Sequence, residues 1–95
     1  MQTKLLREIK NALPELRKSE VKVAEFVLKK PEDIIELTTA QASSSIGVSE
    51  PTLIRFCQAI GFNGFQKFKL TLAQQLAADN YFNSYEIDPN DSIQE

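Results

Sequence analysis

TTAQASSSIGVSEPTLIRFCQAIGFNGFQKFK, residues 38–69, decides how this 95-residue chain is read. Thr38 heads the first segment, where its hydroxyl can accept a free backbone N–H of an opening helical turn. Gln41, three residues on, can reach back and complete a capping box. Gly47 stops that helix, because glycine takes a left-handed conformation without steric cost. Ser49 caps a second helix. Glu50 suits its positive end, and Pro51 is tolerated in a first turn whose N–H groups lack intrahelical partners. This helix runs to about Ile60, with Gly61 as its stop. Leu53, Phe56, Cys57 and Ile60 recur at i, i+3, i+4 and i+7 and make one inward face, which turns Glu50, Thr52, Ile54, Arg55 and Gln58 outward.

Two short helices meeting at a glycine corner, with Ile46 and Val48 on either side of it, read as a helix-turn-helix. The second helix of such a motif lies in the major groove with its N-terminal residues nearest the base edges. Arg55 is the main candidate donor, and Ser49, Glu50, Thr52, Ile54 and Gln58 complete the candidate set on that helix. Ile54 suits a thymine methyl, whereas the Ser49 hydroxyl is expected to serve its own cap. Past Gly61, Phe62 and Phe65 straddle the turn signal Asn63-Gly64, and Lys67 and Lys69 follow at the start of a long helix, where they suit a phosphate clamp. From Thr39 to Ala78 the bases are Arg55, Lys67 and Lys69 and the one acid is Glu50. The same periodicity also fits two packed helices with a solvated outer face, which is the basis of the alternative function, a helical protein-interaction or dimerisation module without DNA binding.

The stretch Gly47-Val-Ser-Glu-Pro-Thr-Leu-Ile-Arg-Phe-Cys-Gln-Ala-Ile-Gly61, followed by Phe62-Asn-Gly-Phe-Gln-Lys-Phe-Lys69 and Leu72-Ala-Gln-Gln-Leu-Ala77, resembles the N-terminal domain of the RpiR family of bacterial transcription regulators. Ser49-Glu50-Pro51-Thr52 with Arg55-Phe56-Cys57 looks most like its hexose-catabolism repressor branch, and the resemblance covers roughly residues 3 to 78. It implies sequence-specific binding of double-stranded operator DNA and regulation of sugar-phosphate catabolism. It also implies a C-terminal sugar isomerase domain, through which alone a sugar-phosphate effector would act. Residues 79–95 are then expected to be an acidic linker toward that domain. The chain departs from the branch at Ile54, where a polar residue is usual, and at Gln58, where a basic one is. Ala42 and Ser43 stand where Leu and Ala are usual, so the first helix of the motif is expected to pack thinly.

At 42% hydrophobic and 25% charged, the composition is that of a soluble domain, with no apolar run near the roughly 20 residues a membrane span needs. Met1-Gln-Thr-Lys-Leu-Leu-Arg7 has no signal-peptide core, so a cytoplasmic location is expected. The formal charge of −2 is unevenly spread: Asp79, Glu86, Asp88, Asp91 and Glu95 all follow Ala78, while residues 1–78 hold eleven Lys and Arg against eight acids. Local arrangement must therefore supply the field that phosphate affinity requires. Cys57, the single cysteine, excludes an intrachain disulfide and is expected to be packing. With no His, no glycine-rich phosphate loop, no base beside Cys57 and no metal spacing, neither an enzyme nor a cofactor or metal protein is expected.

Elsewhere the pattern is helical. Leu5, Leu6, Ile9 and Leu13 make one stripe ending at Pro14; Val23, Ala24, Val27 and Leu28 make another, capped by Ser19 and ended by Pro31. Ile34, Ile35 and Leu37 form a single turn beneath the central motif, and Phe65, Phe68, Leu72 and Leu76 line the last helix. The fold expected is an all-α bundle of about five helices, one domain over residues 1–78. A second apolar set, Leu70, Ala73 and Ala77, points to a homodimer that would present two reading helices to a two-fold operator.

Overall fold

Thr3 starts the chain's first helix by accepting the Leu6 N–H on its hydroxyl at 3.1 Å. The computed structural model describes residues 3–87, with side chains through residue 78. Its elements are α1 (Lys4–Ala12), a 3-10 turn (Leu13–Glu15) around Pro14, α2 (Lys18–Lys29), α3 (Pro31–Ile34), α4 (Thr39–Ile46), α5 (Glu50–Ile60) and α6 (Phe65–Ile87). This is the all-α bundle expected, with no strand among the described residues.

Two boundaries differ from the sequence expectation. α2 begins one residue before Ser19, and Arg17 occupies the N-cap. The stabilising group is Glu20, whose carboxylate accepts the Arg17 N–H at 3.3 Å and lies almost wholly buried against the first turn. A carboxylate there satisfies an orphan donor and complements the helix dipole, so it replaces the hydroxyl cap expected of Ser19. At the other end, α6 continues past Ala78 to Ile87, so the backbone is helical through the first half of the segment read as linker. Tyr81, Phe82 and Tyr85, aromatic residues of that segment suited to folding back onto the domain, fall where side chains are not described, and residues 88–95 lie outside the described residues.

α5 sits in the middle of the bundle, packed against α1, α2, α4 and α6. Leu53, Phe56 and Cys57 are completely buried and meet Leu5, Ile9, Val23, Val27, Phe68 and Leu72 in one core. Phe68 is the centre of an aromatic group: Phe56 meets it edge-on at 5.7 Å between centroids, Phe62 edge-on at 5.6 Å, and Phe65 stacks on it at 6.3 Å. Edge-to-face geometry sets the positive rim of one ring against the negative face of the other and adds to the gain from burial. Polar ties hold α6 to the rest. The Leu5 N–H donates to Gln75 Oε1 at 2.8 Å, and Lys69 Nζ donates to the Leu37 carbonyl at 2.6 Å while lying 4.7 Å from the Phe65 ring centre.

Replacing Phe56 with Ala removes a fully buried ring and leaves its neighbours facing a void, which typically costs about 3–5 kcal/mol. A small domain has about 5–15 kcal/mol in total, so Phe56→Ala should lose a large share of it, and urea unfolding should show a midpoint far below that of the wild-type chain. Burial also pushes the Cys57 thiol up to about 12, against an ordinary value of 9.0, with a backbone hydrogen bond opposing the shift. Folding thus favours the neutral thiol: that stability is fully present below the unfolded value and is lost as pH rises from about 9 toward the folded one. Between about pH 7 and pH 10 the wild-type chain should lose about 1 kcal/mol more than Cys57→Ala. Paired urea titrations measure this, and equal losses would refute it.

Candidate nucleic-acid interface

The corner between α4 and α5 is built by its caps. Thr38 and Gln41 form the reciprocal capping box, with the Gln41 N–H on Thr38 Oγ1 at 3.1 Å and the Thr38 N–H on Gln41 Oε1 at 3.0 Å. Gly47 closes α4 at φ 90°, and both its N–H and that of Val48 donate to the Ser43 carbonyl, at 2.8 and 3.0 Å. Gly61 closes α5 at φ 108°, with the Phe62 N–H on the Cys57 carbonyl and its own N–H on that of Gln58. These bonds take up carbonyls that a helix end otherwise leaves unpaired. α4 itself packs through small groups. Ala42 is fully buried, and the Ser43 hydroxyl, also buried, returns its proton to the Ala40 carbonyl at 3.0 Å, so the thin side chains let α4 approach without stranding a polar atom.

On α5 the outward residues divide into three groups. Ser49, Glu50, Arg55 and Gln58 are exposed. Ile54 is half-buried and leans on the core rather than standing free. Thr52, expected to face outward, is only 6% exposed. It lies four residues before Phe56, on the flank of the buried stripe, and this proximity overrides the coarse division into inner and outer faces. Its hydroxyl sits at the middle of a polar run along the helix: Ser49 Oγ lies 3.0 Å from Thr52 Oγ1 and accepts the Thr52 N–H at 3.3 Å, while Arg55 Nη2 donates to Thr52 Oγ1 at 3.1 Å.

The two lysines proposed as a phosphate clamp are placed differently. Lys67 is exposed, whereas Lys69 is half-buried and occupied by the Leu37 carbonyl, immediately before the α4 cap. Nothing in residue type separated them beforehand. The signal was spacing, since Lys69 follows Phe65 by four residues and so returns to the side of the helix that packs. Sequence reasoning also passed over Gln75, whose amide ties α1 to α6, because a polar residue on a helix flank carries no pattern of its own.

A glycine-cornered helix pair, with one helix anchored and its outer edge carrying an exposed guanidinium, defines a helix-turn-helix domain. Residues 3–79 match the family described as the helix-turn-helix domain of the rpiR family, and the chain belongs to that family. It is 41% identical over 78 residues to the transcriptional regulator HexR of Pseudomonas aeruginosa and 39% identical over 90 residues to HexR of Escherichia coli. The alignments cover 82% and 95% of this chain but only 27% and 31% of those regulators. Among solved structures it resembles the N-terminal domain of the transcriptional regulator ybbH from Bacillus subtilis, at 34% identity and a TM-score of 0.73, over 80% of this chain and 93% of that one. It also resembles the Vibrio vulnificus NanR protein, solved in complex with ManNAc-6P, at 26% identity and a TM-score of 0.76, over 86% of this chain and 31% of that one. The family and the HexR relatives agree with the resemblance read from residues 47–77. No described helix is long and apolar enough to cross a membrane.

Proposed function

We propose that this chain binds double-stranded operator DNA by seating α5 in the major groove, with Arg55 as the principal base-edge contact. The observation that carries the proposal is the exposure of Arg55 on a helix whose opposite face, Leu53, Phe56 and Cys57, is sealed in the core. A helix so anchored can present its outer edge to a duplex without unfolding. Ser49 and Glu50 at its N-terminus, with Ile54 and Gln58 further along, border the same edge, and Lys67 offers a free ammonium for the backbone. The chain is a binding protein rather than an enzyme. It belongs to the cytoplasmic machinery of transcription, in a regulator of sugar-phosphate catabolism, a role supported by the HexR relatives and by the sugar phosphate bound to NanR. The effector would act through a sugar isomerase domain outside these 95 residues, so that this part supplies the operator contact alone.

A second copy is the partner we propose for α6. Leu70 is 57% exposed, the large apolar side chain left open among the described residues, with Ala73 half-buried and Ala77 exposed beside it. A two-fold pairing there would set two α5 helices against a two-fold operator.

Arg55→Ala should weaken binding to the selected operator by about 1–3 kcal/mol if the guanidinium spans guanine O6 and N7, and unchanged affinity in a mobility-shift titration would take Arg55 out of the site. Raising salt should weaken the complex steeply through counterion release, whereas a hydrophobic protein contact would barely respond, which separates DNA reading from a protein-interaction module. Sedimentation at micromolar concentration should show a dimer that Leu70→Glu disperses. Monomer in both would end the α6 pairing.

A further inference from the structure

We propose that Thr52 is a positioning residue for Arg55, holding the guanidinium in its reading pose without touching DNA itself. The inference rests on the assignment of Arg55 as the base contact. Thr52 is 6% exposed, so its hydroxyl is withdrawn from any duplex that meets the helix edge. It nonetheless accepts from Arg55 Nη2 at 3.1 Å and lies 3.0 Å from Ser49 Oγ.

A guanidinium can only donate, which fixes the direction of the Arg55 bond. Thr52 Oγ1 accepts from Arg55 Nη2 and has a second lone pair and a proton left, so between it and Ser49 Oγ either hydroxyl can be the donor. Ser49 Oγ in addition accepts the Thr52 N–H, the bond that caps α5. The run Arg55, Thr52, Ser49, at three-residue intervals on one side of α5, therefore joins the guanidinium to the helix cap through the Thr52 hydroxyl.

An unrestrained arginine loses several rotatable bonds on seating against a base, and ordering such a side chain is one of the main costs of association. One Nη2 proton bound to Thr52 leaves the other donors of the planar fork free for a guanine edge. The cost of ordering is thus met partly in folding. Serine at position 52 keeps the oxygen and should keep the effect, while valine keeps the shape and removes it.

The test uses a duplex selected by the wild-type chain from a random-sequence library and, for comparison, an unselected duplex of equal length. Thr52→Val should lower affinity for the selected duplex about threefold to tenfold, as expected for one newly mobile arginine, and leave the unselected one nearly unchanged. Thr52→Ser should bind both as wild type does. In an Arg55→Ala background, Thr52→Val should make no further difference, since the oxygen then has nothing to hold. Thr52→Ala, which deletes the same oxygen with less crowding, serves if the valine variant fails a thermal-unfolding check. The proposal is overturned if Thr52→Val and Thr52→Ala keep full discrimination while Arg55→Ala loses it, an outcome that leaves the DNA-reading assignment intact. A further loss in the Arg55→Ala background, or failure of serine to rescue, overturns it too. If Arg55→Ala itself binds as wild type, the assignment of Arg55 falls, and this proposal with it.

Discussion

Phe56 against Phe68 is the contact that sets what α5 can show to its surroundings. A helix advances about 100° per residue, so fixing the direction of one side chain fixes those of its neighbours. With Phe56 fully buried and its ring edge-on to Phe68 at 5.7 Å, Arg55 is rotated out of the core and Thr52 is left on the boundary between core and edge. The outer residues need no attraction of their own to reach their positions. They are exposed because the inner ones are not, and the two left-handed glycines at 47 and 61 let the chain enter and leave α5 without dragging that rotation with it.

Much of this was legible from residue order, for a physical reason. Caps and stops depend on a few atoms within one turn, so Thr38, Gln41, Gly47, Ser49 and Gly61 behave as their types require whatever surrounds them. The buried stripes are nearly as local, because Leu53, Phe56 and Cys57 are chosen by helical spacing. What failed to show was decided by partners distant in sequence or by a competition between local groups. Glu20 outdid Ser19 at the start of α2 through a contact that two acceptable caps cannot decide between on paper. Spacing from Phe65 sets Lys69 apart from Lys67, but its partner, the Leu37 carbonyl, lies thirty-two residues away, and that pairing exists only once α6 has docked. The continuation of α6 to Ile87 was missed for another reason: acidic and amide residues such as Asp79 and Asn80 weaken the helical pattern without breaking it, and no proline or glycine intervenes before Pro89.

The candidate interface shows the same division between local and distant causes. Arg55 could be assigned by elimination, as the one basic residue of α5 off the buried stripe. Thr52 could not be placed, because a residue beside a stripe falls inside or outside according to how deeply the helix sinks. Depth here is set by α1 and α2 closing over α5, a tertiary quantity that no period contains. The outcome takes Thr52 off the exposed edge and leaves its hydroxyl as an acceptor for Arg55. A hydroxyl tucked under a guanidinium gains from the low local dielectric, which strengthens a made bond and penalises an unmade one.

Charge follows a comparable economy. Local basicity around the motif amounts to a few groups, and one of them, Lys69, is occupied by a protein carbonyl while its ammonium sits over the Phe65 ring. A lysine so used contributes to the architecture of the corner: it joins α6 to the carbonyl just ahead of the Thr38 cap, and so links the helix carrying Phe68 to the helix that precedes α5. The position of α4 is thereby tied to α6 through an ion and the position of α5 through an aromatic ring. These two attachments differ in kind, one a charge-assisted hydrogen bond and the other an apolar contact, and they fix the pair from opposite ends of the motif. The geometry of the corner therefore depends on α6 as much as on the turn at Gly47, and the helix-turn-helix is a property of the whole bundle rather than of the two helices that give it its name.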